Sequence, residues 1–383
     1  MILKNERYKA VNYLKSHRKG LLISLLFIAV TLISILGYTD NPIPLGPYKF
    51  EYPANFGNRI NIPPDNPTTQ QGVYLGRMLF YETKLSAHNA LSCASCHKQE
   101  LAFTDGKAFS RGVDFKLTSR NSMSLVNLLW ARKFFWDGRA TGLEAQAVIP
   151  MSNPHEMGQD TAISAKKLNS DKQYHALFKL VYGDENITGD RIIKAIAQFE
   201  RTLISANSKY DQYLANKYQP TTDELKGMEL FNRSPQADKG IRGANCTHCH
   251  GGAKNYMELF HNNGLDSIPK DKGIETLTGV ATDRARFKVP TLRNIALTAP
   301  YMHDGRFKTL NQVLDHYSDH VLQSPALSSV FRGESNEIGG KQLKLDPEEK
   351  KQIIAFLNML TDSTFVTDPR FSDPRLSKNK TKL

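Results

Sequence analysis

Cysteine is scarce in this chain, with four in 383 residues. Uncharged apolar runs are scarcer: the long one is 21–37, LLISLLFIAVTLISILG. A single such run excludes a multi-span membrane protein. A content of 40% hydrophobic and 23% charged residues excludes a disordered chain. No convincing segment alternates polar and apolar residues, so an ordinary β-sheet fold is not expected. The formal net charge of +12 lacks a groove to sit in. Lys4, Arg7, Lys9, Lys15, Arg18 and Lys19 crowd the N-terminus against Glu6 alone. Arg370, Arg375, Lys378, Lys380 and Lys382 crowd the other end against Asp368 and Asp373. Most of the charge therefore lies in two tails, and no nucleic-acid partner is implied.

The apolar run 21–37 follows the basic N-terminus directly. About seventeen residues is near the lower limit for crossing a bilayer and above the usual signal-peptide core. Basic residues stay on the cytoplasmic side, which sends the rest of the chain across. No small-x-small cleavage site follows, so an uncleaved transmembrane anchor is favoured over a removed signal. The expected location is periplasmic, anchored to the inner membrane.

All four cysteines fall in two copies of one pattern: CASCH, Cys93 to His97, and CTHCH, Cys246 to His250. Two cysteines at this spacing on a helix make a poor disulfide pair, and disulfides leave each following histidine unexplained. The copies lie too far apart for a compact zinc site. C-x-x-C-H is instead the attachment signature of c-type haem. Its thiols bond the haem covalently, and the adjacent imidazole becomes the proximal iron ligand. Two covalently bound haem c groups are expected, on Cys93, Cys96 and His97 and on Cys246, Cys249 and His250. An electron carrier fills both axial positions of its iron, whereas a peroxidase leaves one open.

Periodicity reads as helix almost throughout. Asp40–Pro64 reads as an extended linker. Gln71–Glu82 carries Leu75, Met78 and Leu79 at helical spacing. Arg191–Ser205 carries Ile192, Ile196, Phe199 and Leu203, with Asp190 as the expected cap. Thr309 and Gln312 have capping-box spacing ahead of Leu310, Val313, Leu314, Tyr317 and Val321. Asp346-Pro347-Glu348-Glu349 opens the last helix. The expected fold is all-α, with two cytochrome c-like haem domains behind an N-terminal transmembrane or signal segment. The boundaries are 1–40 for that segment, 41–205 and 206–365 for the haem domains, and 366–383 for a basic tail.

The stretch RNSMSLVNLLWARKFFWDGRATGLEAQAVIPMSNPHEM, Arg120 to Met157, joins the two haem motifs and PTLRNIALTAPYMHDG, Pro290 to Gly305. Together they closely resemble the bacterial di-haem cytochrome c peroxidase family, including its MauG-type enzymes, over roughly Gly72 to Leu360. The resemblance implies a peroxide site at the first haem. It gives Trp136 as the inter-haem tryptophan, Gln146 as the active-site glutamine and Glu156 as the acid–base glutamate. Heterolysis of peroxide needs a proton moved between its oxygens, which a carboxylate can carry. The resemblance also implies a calcium site from the Asn121 side chain with the Thr298 and Pro300 carbonyls, and Arg139 as partner of a haem propionate.

Two departures bear on function. Many members of the family cap the first iron with a loop histidine. Here no histidine lies between His97 and His155, and Val113 stands at the aligned position. The first haem is therefore expected to be open without reductive activation. The residue that is methionine in typical peroxidases aligns with Tyr317, as in the MauG-type branch, with Met302 and His316 as rival ligands. A phenolate favours the ferric state over the ferrous. The leading expectation is an enzyme that reduces hydrogen peroxide with electrons from a small cytochrome c or cupredoxin. The alternatives are oxidation of a partner protein substrate to mature a tryptophan-derived quinone, and a non-catalytic di-haem electron carrier.

Overall fold

Side chains three and four apart share one face of a helix, and these faces pair to make the core. A computed structural model describes residues 43–377. The helices that position the site are α1 (Gln70–Phe80), α2 (Cys93–Cys96), α3 (Leu143–Ser152), α4 (Gly189–Glu200), α5 (Thr222–Asn232), α6 (Thr247–His250), α7 (Leu310–Asp319) and α8 (Pro347–Met359).

The first core forms where α1 lies on α4. Contact is close because Gly76 has no side chain: a Cβ there would sit 1.9 Å from the Ala195 carbonyl oxygen. Phe80, Phe103, Phe199 and Leu203 fill the space beside them, all fully buried. Each such side chain contributes about 1.5–3 kcal/mol by leaving water. The cap of α4 is Thr188, which accepts from the Arg191 nitrogen; Asp190, the expected cap, falls in the first turn. The helix also stops at Glu200 rather than Ser205. Beyond it the Thr202 hydroxyl takes up the Phe199 carbonyl at 2.7 Å, which supports the turn.

The second core repeats the device. α5 packs on α8, and a Cβ at Gly227 would lie 1.8 Å from the Gln352 carbonyl oxygen. Phe231 and Phe356 meet there with ring centroids 5.0 Å apart. The expected capping box forms at Thr309/Gln312 on α7, and Pro347 opens α8 as expected, with a further box between Asp346 and Glu349.

Two short antiparallel ribbons interrupt the helices. β1 (Lys133–Phe134) pairs with β2 (Ala140–Thr141), and β3 (Phe260–His261) with β4 (Phe287–Lys288). At two residues per strand they are too short to show alternation in sequence. From Leu45 onward the chain forms one compact unit. The stretch expected as a linker packs Phe56, 1% exposed, against Leu129 and Trp130. The C-terminal segment returns to the first core, where Phe365 and Phe371 are buried.

The all-α, largely helical expectation holds, but its membrane component is corrected. Among the described residues no helix is long and apolar enough to cross a membrane. The longest of them, α8, has 13 residues. At ~1.5 Å per residue it spans ~20 Å, against the ~30 Å of a hydrocarbon core. The run 21–37 lies outside the described residues, so the transmembrane and inner-membrane readings are not retained.

Candidate functional site

Ser92 and Ser95 form a capping box that starts α2, presenting Cys93 and Cys96 from one short turn. Burial raises both thiols above the ordinary range. His97 follows as the C-cap. Its Nδ1 lies 2.8 Å from the Phe103 carbonyl oxygen, so it carries the proton. That leaves Nε2 with the lone pair of a neutral ring; burial lowers the pKa, against smaller raising influences from the Phe103 and Met123 backbone. The Ser122 hydroxyl, 3.4 Å from the same nitrogen, ties the ring to the Cys96 carbonyl.

α6 repeats the geometry. His250 Nδ1 lies 3.1 Å from the Pro290 carbonyl oxygen, and burial pushes its pKa down to about 4. Cys246, Cys249 and His250 border a large, mainly apolar cavity that also reaches Tyr317 and Met302. No disulfide uses any of the four thiols. Unpaired thiols on one turn, a neutral imidazole with a fixed tautomer and an apolar chamber together fit a covalently held haem.

The remaining expected residues fall around these motifs. Glu156 is half-buried and close enough to raise the Cys96 thiol. Its Oε1 accepts from Asn153 Nδ2 at 2.7 Å, and among the described residues no donor reaches Oε2. Burial raises its pKa, while Asn153 and Arg139 oppose the shift. Val113, on a separate loop, meets this turn through its nitrogen, which donates to the Glu156 carbonyl at 2.9 Å. Nothing at that position can offer an imidazole. His155 turns instead to Asp114, 2.7 Å away at the surface. Gln146 lies on α3, and among the described residues its side chain makes no hydrogen bond, to Glu156 or otherwise.

Trp136 is buried in the loop between β1 and β2. Its Nε1 donates to the Asn121 carbonyl at 2.9 Å, and its own carbonyl accepts from the Lys288 nitrogen at 2.7 Å. Arg139 pairs with Asp137 at 3.1 Å and stacks on Phe135. Asn121 borders the cavity with Thr298 and Pro300. Among the described residues, the Asn121 Oδ1 and the two carbonyl oxygens accept no hydrogen bond, which suits a hard cation. Tyr317, on α7, also faces the second motif. Burial pushes its hydroxyl up to about 12, with a smaller lowering from Asn263 and a raising influence from Cys249 and Cys246. The rival His316 is buried and committed to the Asn263 carbonyl at 3.0 Å. Asn153, Ser122 and the two carbonyls that fix the histidines were not anticipated. Only Asn153, three residues before Glu156, left a local sign.

A family model described as di-haem cytochrome c peroxidase matches residues 70–219. The chain is 31% identical over 336 residues to methylamine utilization protein MauG of Methylophilus methylotrophus, covering 88% of this chain and 94% of that protein. It is 36% identical over 292 residues to cytochrome c551 peroxidase of Nitrosomonas europaea, covering 75% and 79% respectively. Among solved structures, a MauG-like protein associated with microbial copper homeostasis superposes with a TM-score of 0.77 at 33% identity, covering 86% of this chain and 99% of that one.

Proposed function

This chain belongs to the di-haem cytochrome c peroxidase family, and from that premise we infer that it reduces hydrogen peroxide to water with electrons from a small redox protein. Two haem c groups would be held by Cys93, Cys96 and His97 and by Cys246, Cys249 and His250. Bound there, they would supply redox-active iron, the chemistry needed to exchange single electrons with a donor and to reduce peroxide. Everything else is work for the chain's own side chains.

The observation that carries the reading is the Glu156 carboxyl: half-buried, beside the first motif, with one oxygen held and, among the described residues, the other free. Asn153 fixes Oε1, so Oε2 is left to take a proton from one oxygen of hydrogen peroxide and return it to the other. A carboxyl whose pKa lies above the usual range is better matched to both directions of that transfer near neutral pH. Val113, in place of a histidine, leaves the approach unblocked without reductive activation. Gln146 orients the substrate with its uncommitted amide. Trp136, fixed between Asn121 and Lys288, lies on the route for an electron between the two motifs. Arg139 holds Asp137 and moderates the charge near Glu156. Tyr317 would offer its phenolic oxygen to the second haem, and Asn121 Oδ1 with the Thr298 and Pro300 carbonyls would hold Ca²⁺.

Glu156→Gln keeps the shape and removes the proton carrier. Stopped-flow mixing of the ferric protein with peroxide should show a rate lower by about 10²–10⁴-fold. A native rate would refute the acid–base role. Tyr317 also favours a second reading, the MauG-type oxidation of a partner protein. Rapid peroxide-dependent turnover of reduced cytochrome c supports the first reading; peroxide oxidation with negligible cytochrome turnover supports the second.

A further inference from the structure

Tyr317, Met302 and His316 are the three side chains that compete for the second motif, and one residue touches all of them. Asn263 Nδ2 donates to the Tyr317 hydroxyl oxygen at 3.1 Å and lies 3.5 Å from Met302 Sδ. Its main-chain carbonyl accepts from His316 Nε2 at 3.0 Å.

The backbone that carries this amide is held by its neighbours in the turn after β3. The Asn262 nitrogen donates to Ser328 Oγ at 3.0 Å, its side-chain amide donates to the Arg284 carbonyl at 3.0 Å, and its Oδ1 accepts from the Gly264 nitrogen at 2.9 Å. Gly264 follows at φ +70°, where a Cβ would meet Val321 Cγ1 at 2.7 Å and the Leu322 carbonyl oxygen at 2.8 Å. Only glycine fits that left-handed, crowded position.

We propose that Asn263 is the positioning residue of the second haem site, aiming and weakening the Tyr317 phenolic oxygen as a ligand while holding His316 out of contention. This rests on Tyr317 as that ligand. An N–H donated to the phenolic oxygen draws electron density from it, so the oxygen gives less to ferric iron. The donated bond strengthens when the iron withdraws less, in the reduced state. Asn263 therefore raises the potential of the second haem relative to an unassisted tyrosine.

The test is potentiometric titration of the holoprotein at one pH, with electron paramagnetic resonance and visible spectra of each haem. Asn263→Leu removes the donor; Asn263→Asp keeps the size and turn preference but presents a carboxylate. In both, the oxidised-to-reduced ratio of the second haem at fixed potential should rise about tenfold, which for one electron is about 59 mV. The first haem should not move. Tyr317→Phe separates the two claims. If it leaves the second haem's spectrum and midpoint unchanged, the tyrosine reading falls and the Asn263 proposal with it. If it shifts them while both Asn263 variants match the parent, the proposal alone is overturned.

Discussion

Glu200 ends α4 with its carboxyl inside the protein, 5% exposed, and among the described residues its Oε2 has no hydrogen-bond partner. Burial pushes the pKa up from 4.5 to about 8; the nearby Arg201 opposes the shift and Glu144 adds to it. The unfolded chain releases this proton near pH 4.5 and the folded chain keeps it to about 8. Between those values the native state binds more protons, so the contribution to stability falls as pH rises. At about 1.36 kcal/mol per pKa unit, the loss amounts to about 3 kcal/mol at pH 7 and levels off near 5 kcal/mol above pH 8. Glu200→Gln has no such proton to lose. Its stability advantage should be near zero at pH 4.5, about 3 kcal/mol at pH 7 and constant above pH 8. Urea unfolding followed by far-ultraviolet circular dichroism at pH 4.5, 6, 7 and 8 measures it. A difference that does not change with pH refutes the reasoning, because it means the carboxyl titrates alike in both states. The carboxyl also raises the Cys93 thiol, so its neutrality bears on the first motif directly.

Arg293 is 1% exposed and donates to Asp211, the Ser208 hydroxyl and the Ala253 carbonyl. Arg293→Met leaves a buried carboxylate unpaired and should cost about 3–5 kcal/mol in chemical denaturation; a loss below 1 kcal/mol would mean that water reaches Asp211. Replacing Cys246 and Cys249 together by Ala should lower covalent haem from two groups to one per chain by intact mass. Retention of both would place the second attachment elsewhere.

Much of this was legible locally. The two C-x-x-C-H motifs, the capping box at Thr309, the Asp-Pro start of α8 and the apolar helix faces depend on residues a few positions apart, so their signal lies within a short stretch of chain. Spacing along a helix fixes which side chains share a face, so α1, α4, α7 and α8 could be anticipated to within a few residues. The absence of histidine between His97 and His155 also needs no structure to be seen.

What local pattern cannot contain is who meets whom across the chain. Asp190 and Thr188 are both good caps, and the choice turned on which oxygen reached the Arg191 nitrogen. Arg139 pairs with Asp137, two positions away, but its stacking on Phe135 depends on how that loop folds. The tautomers of His97 and His250 are set by carbonyls of Phe103 and Pro290, backbone groups that look alike at every position of a sequence. Asn263 reaches Tyr317, 54 positions away, because a short ribbon and a crowded glycine hold it there. The sequence by itself determined which chemical groups the protein owns and which helices carry them. Only the tertiary structure decided their hydrogen-bond partners and burial, since both depend on neighbours brought together by packing.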